Sequence, residues 1–226
     1  MQNEQFKSNN EILWAHIFTD TIKSSLWLKN QSFSPGRAAA GYPMLYVIYR
    51  ILQNVKPRKV LEFGLGQSSK LSIQYAMAYP DVSLNIIEQS KDWLDFFANE
   101  MPDVSSFATL LTVDSVPCGN DLYTNHYKDL MDVIKDNKYD FIIIDGPVGS
   151  QWKSRSQIIE IAENDLLADS FIILMDDYER KGEKQTINAL LDVLCEKKIP
   201  YTTGVYSGKK DTIVICSTDN SFVTTL

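Results

Sequence analysis

Residues 60–69 read Val-Leu-Glu-Phe-Gly-Leu-Gly-Gln-Ser-Ser. A short apolar run enters a tight glycine turn, and a helix-compatible run, Lys70 to Ala78, follows directly. A strand that feeds a helix in this way points to a β-α-β unit, whose helix crosses over to a parallel neighbour. The glycines also leave the turn backbone bare at the carboxyl end of the sheet, where a ligand can approach it closely. A second apolar run, Leu84-Asn85-Ile86-Ile87, ends at Glu88. That acid falls at roughly the ~20-residue interval expected for a ribose-binding carboxylate.

Such an acid can accept hydrogen bonds from the ribose of NAD or of S-adenosylmethionine. Two departures favour S-adenosylmethionine. Glu62 lies just before Gly64, where a carboxylate would repel a pyrophosphate but suits a ligand carrying an ammonium and a sulfonium. Ser69 stands where dinucleotide binders place a third glycine for close strand–helix packing. The expected cofactor contacts are Glu62, Gly64, Gly66, Gln67, Ser68, Glu88 and Gln89, joined by Asp114 at the end of a third strand.

The chain has 226 residues, 44% of them hydrophobic and 23% charged, enough for one ordinary globular α/β core. A net charge of −7 argues against nucleic acid as the main partner. The pairs Lys197-Lys198 and Lys209-Lys210 are too short to track a polyanion. Cys118, Cys195 and Cys216 show neither close pairing nor metal-type spacing, which suits a reducing cytoplasm. Cys195 and Cys216 lie in apolar runs and are read as packing residues. Met1 to Asn10 is polar, without the apolar core of a signal peptide. No apolar run approaches the ~20 residues of a membrane span. A cytoplasmic protein with no membrane partner is expected.

Alternating elements follow along the chain. Glu11 to Lys23 reads as an amphipathic helix with Ile12, His16, Ile17 and Ile22 on one side, and His16 is read as packed. Ser32 to Gly41 is a loop, and Pro43 to Val55 a strongly apolar helix against the sheet. A helix over Lys91 to Glu100 precedes a third strand, Ala108 to Val113, that ends at Asp114. Tyr123 to Asn137 is expected to be helical. Tyr139 to Asp145 is almost continuously apolar, as a strand buried on both faces should be. A helix over Ser156 to Leu167 leads to a fifth strand, Ser170 to Met175, ending at Asp176-Asp177. A helix over Glu183 to Lys197 then precedes a terminal pair, Tyr201 to Tyr206 and Asp211 to Ser217. The architecture expected is α/β: a Rossmann-like, doubly wound, mostly parallel seven-stranded sheet with a C-terminal antiparallel hairpin and N-terminal helices.

The parallel strands end in acids or at the glycine turn, so Asp145, Asp176 and Asp177 are expected to share one crevice beyond the strand ends. Three close carboxylates are costly without a counter-charge. A hard, all-oxygen set of this kind would suit Mg²⁺ or another divalent cation, which could lower the pKa of a substrate hydroxyl. The other reading is that these acids cap the following turn and helix. His126 and Trp152 are candidate substrate contacts near the mouth of the site. Trp93 could flank an adenine, though core packing is favoured for it.

Together these motifs resemble the class I S-adenosylmethionine-dependent methyltransferases. Three pieces resemble, more narrowly, the polysaccharide O-methyltransferases related to glucuronoxylan 4-O-methyltransferase: Phe63-Gly64-Leu65-Gly66; Asp145-Gly146-Pro147-Val148-Gly149 with Ser154-Arg155; and Asp177-Tyr178-Glu179-Arg180 with Glu183. The resemblance covers about residues 58–195. It implies a methyltransferase domain over 58–226; residues 1–57 have no counterpart in it and are expected, from their own pattern, to form a helical extension packed on the core. It also implies O-methylation of a saccharide or sugar-containing precursor. Asp145 or Asp177 would be the base or an ion ligand, with Arg155 and Arg180 gripping a carboxylate or phosphate of the acceptor. Surface ion pairing is the alternative for the two arginines. The acidic motifs are also similar to those of metal-dependent catechol-type methyltransferases, although Val148 stands where those carry a lysine. A phenolic O-methyltransferase is thus the enzymatic rival. A non-catalytic binding protein of the same fold is the other, and a homo-oligomer formed through the N-terminal helices is a further expectation.

Overall fold

The computed structural model describes residues 2–36, 39–119, 122–150 and 152–226. The expected loop at 32–41 therefore includes two residues, 37 and 38, that lie outside the described ones. Strands β1 (Lys59–Phe63), β2 (Ser83–Glu88), β3 (Ala108–Leu110), β6 (Tyr139–Ile144), β7 (Leu167–Met175), β8 (Tyr201–Ser207) and β9 (Asp211–Ser217) form a seven-stranded sheet. Their order is β3-β2-β1-β6-β7-β9-β8. Only β9 runs against the rest. The order reverses between β1 and β6, and the mouth of an open α/β sheet lies at such a point.

Alternating side chains divide the core into two layers. Val60, Phe141, Ile143, Ile172 and Leu174 face helices α1 (Gln2–Ile22), α2 (Tyr42–Asn54) and α3 (Ser69–Ala78). Leu61, Phe63, Ile142, Ile144, Ile173 and Met175 face α5 (Leu130–Ile134), α6 (Gln157–Glu163) and α7 (Lys181–Glu196). The remaining helix, α4 (Lys91–Ala98), follows β2. Burial on both faces explains why β6 is apolar without alternation.

The N-terminal residues share the first of these layers. On α1 the inward residues are Trp14, Ile17, Phe18 and Ile22. The expected face was rotated: Ile12 and His16 are exposed. One carboxylate joins three elements here. Glu11 on α1 accepts from Tyr42 N at the start of α2 and from Lys209 N in the β8–β9 turn, both at 2.8 Å. The segment after α1 is tied to α3. Gln74 Oε1 accepts from Lys29 N and Asn30 N, Lys70 Nζ donates to Ser32 O, and Gln67 Oε1 accepts from Ser34 N.

Two further expectations are corrected. The third strand stops at Leu110 rather than at Asp114. The helix expected over Tyr123 to Asn137 is instead strand β5 (Leu122–Tyr127) followed by the short α5. Strand β4 (Val113–Gly119) pairs antiparallel with β5 in a separate two-stranded sheet. The physical reason is in the sequence. Pro117 and the run Cys-Gly-Asn-Asp at 118–121 punctuate the chain between two short stretches rich in aromatic and β-branched residues, which is a hairpin pattern. Cys216 is buried as expected, whereas Cys195 is exposed. No described helix is long and apolar enough to cross a membrane.

Candidate active site

A cleft of about 650 Å³ opens at the carboxyl ends of β1 and β6. Gly64 makes this geometry feasible. Its φ is +89°, and a Cβ there would lie 3.1 Å from the backbone of Asp145 and Gly146. Only glycine combines that conformation with that approach. Gly146 lies opposite, where a Cβ would clash with the Tyr127 hydroxyl at 2.5 Å. Tyr127 stacks on Phe63 with ring centroids 5.8 Å apart.

Gly64, Gly66, Gln67, Glu88 and Gln89 line the cleft, as the sequence led us to expect. Glu88 is buried and fixed. Its Oε2 accepts from Leu65 N at 2.9 Å, and its Oε1 from Gln89 N and Ser90 N at 2.7 Å. Each oxygen has two lone pairs, so Glu88 also organises the loops on either side of it. Trp93 lines the cleft rather than the core, is 39% exposed, and donates from Nε1 to Leu65 O at 2.6 Å.

Other expected contacts lie elsewhere. Glu62 is fully buried outside the cleft lining. Its carboxylate accepts from the hydroxyls of Ser68, Ser69 and Ser72 at 2.7, 2.8 and 2.5 Å. Burial raises its pKa against those hydrogen bonds. Glu62 and Ser68 thus fasten the glycine turn to α3, and Glu62 no longer separates one nucleotide from another. Asp114 is exposed on β4 opposite His126. His126 is likewise outside the cleft, with Nε2 2.7 Å from Ser156 Oγ. Its pKa is lowered by burial, which the Glu160 charge opposes.

Asp145, Asp176 and Asp177 do converge, with carboxylate oxygens within 4.8 Å of one another. Their counter-charge is already supplied by the chain. Arg155 Nη2 lies 3.2 Å from Asp145 Oδ1 and 2.9 Å from Asp177 Oδ2, and Nη1 donates to Asp176 O. Lys210 Nζ lies 2.9 Å from Asp176 and 3.3 Å from Asp177, and Arg180 Nη1 2.9 Å from Asp177. Three cations therefore face three carboxylates. A divalent ion would bring its charge against Arg155 and Lys210, so the donor set does not fit a metal centre. The three acids converge as the metal expectation placed them, and each of them already faces a cation of the chain.

Arg155 is buried, not a surface ion pair; its Nη2 is turned to the carboxylates of Asp145 and Asp177 and its Nη1 to the main-chain carbonyl of Asp176, rather than free for an acceptor. Arg155 and Asp177 both have left-handed backbones, at φ 60° and 61°. Such conformations are costly for non-glycine residues and collect at functional sites. Asp176 is fully buried outside the cleft lining, while Asp145, Asp177, Arg155 and Arg180 all reach it. Burial and the Asp176 charge push Asp145 up to about 7, against Arg155 and Lys210.

Sequence reasoning missed Lys210, Ser34 and Ala39. Ser34 and Ala39 precede the first strand, yet they line the cleft. Lys210 precedes β9, whose antiparallel course begins where β7 ends. That topology is the signal that would have found it.

No family model matches the chain, and no curated protein matches it. Solved structures do. The O-methyltransferase TomG from Streptomyces achromogenes, involved in tomaymycin synthesis and solved in complex with S-adenosylmethionine, has a TM-score of 0.61 at 14% identity, covering 96% of this chain and 100% of that one. An O-methyltransferase from Bacillus cereus, in complex with S-adenosylhomocysteine, has a TM-score of 0.50 at 14% identity, covering 93% and 92%. A methyltransferase from Geobacter sulfurreducens has a TM-score of 0.51 at 14% identity, covering 80% of each. The fold is that of the class I S-adenosylmethionine-dependent methyltransferases. These structures do not support the narrower resemblance to polysaccharide O-methyltransferases.

Proposed function

We propose that this protein is an S-adenosylmethionine-dependent O-methyltransferase that acts on a hydroxyl of a small acceptor without a divalent ion. The observation that carries the reading is the single cleft that sets Gly64, Gly66 and Glu88 against Asp145. The sulfonium supplies an already activated methyl group. Gly64 and Gly66 leave room for the methionine portion against bare backbone, and Glu88 can still accept from ribose hydroxyls. Asp145 takes the acceptor's proton as the oxygen–methyl bond forms and the carbon–sulfur bond breaks, leaving a neutral thioether. A carboxylate near pKa 7 is a competent base at neutral pH. Arg155 Nη2 bridges that carboxylate and Asp177 and so holds it in place.

Trp93 borders the cleft beside Glu88 and supports an adenine seat. The saccharide expectation rests on the motifs, and a phenolic acceptor would fit the same cleft. Methyl transfer from labelled S-adenosylmethionine to a panel of sugars, phenols and alcohols tests the reading. Methylated oxygen in any product, with S-adenosylhomocysteine formed in equal amount, supports it. Absence of S-adenosylhomocysteine binding by calorimetry would overturn it.

A further inference from the structure

A second cavity, of about 750 Å³, lies beside the cleft and shares Val148, Gly149 and Arg180 with it. Leu122, Ser150, Trp152, Lys181, Gly182 and Glu183 complete its lining. Glu183 stands out. It is 1% exposed, and neither carboxylate oxygen has a hydrogen-bond partner among the described residues. Its Oε1 lies 3.2 Å from the point that a Cβ on Gly149 would occupy. Gly149, in the wall common to both cavities, thus packs closely on this carboxylate, and a side chain there would crowd Glu183 Oε1 and Ser154 Oγ, both 3.2 Å from its Cβ.

A buried carboxylate with no donor is costly, and buried polar groups are nearly always paired. The first turn of α7 offsets part of the cost through its dipole, but it supplies no hydrogen bond here. A ligand donor is the missing partner. The charges around the cavity restrict its kind. Arg180 and Lys181 line the same space, so an ammonium would face two cations. An anion would face the unpaired Glu183. A neutral hydroxyl meets neither penalty. Val148, Leu122 and Trp152 supply apolar surface for the carbon skeleton that carries it.

We infer that Glu183 is a specificity-determining residue that accepts a hydrogen bond from an acceptor hydroxyl remote from the one methylated, so that the acceptor is at least a diol. The inference rests on the methyltransferase reading for the second hydroxyl, the one presented to Asp145. The test is calorimetry of the full chain, with and without saturating S-adenosylhomocysteine, against small aromatic and alicyclic diols, each paired with its monodeoxy counterpart. At least one diol is expected to bind about tenfold tighter than its counterpart, as a hydrogen bond to a charged group should give. Glu183→Leu is expected to remove that margin, and Glu183→Gln to keep part of it through its amide oxygen. Glu183→Gln should hold the wild-type Tm, since Glu183 has no hydrogen bond among the described residues for the change to break. A margin that survives Glu183→Leu, no margin anywhere in the panel, or a lowered Tm in Glu183→Gln overturns the inference. Wild-type protein that discriminates diols but fails to bind S-adenosylhomocysteine would overturn the methyltransferase reading and leave Glu183 as a hydroxyl acceptor.

Discussion

Asp145 is held between opposing influences, and the balance predicts a pH profile. Burial and Asp176 favour its neutral form, while Arg155 and Lys210 favour its charge. The base acts as the carboxylate, so the rate should rise with pH through about 7 and then level off. Asp145→Asn keeps the shape and removes the proton acceptor. It should lower kcat by about a hundredfold or more, with S-adenosylhomocysteine affinity within a few-fold of wild type by calorimetry. Comparable loss of both would move Asp145 to the cofactor side. Glu88→Ala removes a charge-assisted acceptor of about 1.5–3 kcal/mol, so affinity for S-adenosylhomocysteine should fall about tenfold or more. Unchanged binding would exclude Glu88 as the ribose contact. Residues such as Gly64, Glu88 and Asp145 are legible in the sequence because they end strands. Glu62 is not, because its role depends on strand alternation. Val60 and Glu62 face one way, and Leu61 and Phe63 the other.

At the scale of elements, β1, its glycine turn and α3 form one unit that a buried carboxylate staples together. Glu62→Ala would leave three serine hydroxyls without their acceptor. Unsatisfied buried groups cost about 1–3 kcal/mol each when nothing replaces the bond, so the denaturant midpoint should fall clearly. Glu62→Gln should cost less, because its amide oxygen still accepts and burial no longer opposes a charge. If both variants matched the wild type, the staple would carry no stability. Most of the alternating strands and helices could be read from periodicity. The β4–β5 hairpin could not, because a polar two-stranded ribbon outside the main sheet lacks the apolar alternation that marks a core strand. Its signal was the turn chemistry at its tip.

Across the whole molecule the charge arrangement favours the ion-free reaction proposed above over an ion-assisted one. Arg155, Arg180 and Lys210 come from three separate places in the chain to face the acids that end β6 and β7. Sequence distance hid Lys210, whereas Arg180 stands in the same short motif as Asp177. Methyl transfer should therefore be unaffected by EDTA, and added Mg²⁺ or Mn²⁺ should change the rate by no more than about twofold, the scale of screening effects on exposed charges. Suppression by EDTA with recovery on Mg²⁺ would show that an ion displaces these cations.

Glu11 holds α1, the start of α2 and the β8–β9 turn with one carboxylate. The stretch between those helices carries Ser34 and Ala39 to the rim of the cleft. Occupancy of the cleft is expected to couple to docking of the amino-terminal helix, and coupling of this kind is reciprocal. S-adenosylhomocysteine should slow deuterium exchange along α1, and Glu11→Ala should both release that protection and weaken the ligand. A helix with no described residue in the cleft would then act as its sentinel, its amides sealed when a ligand is held and open to exchange when it is not.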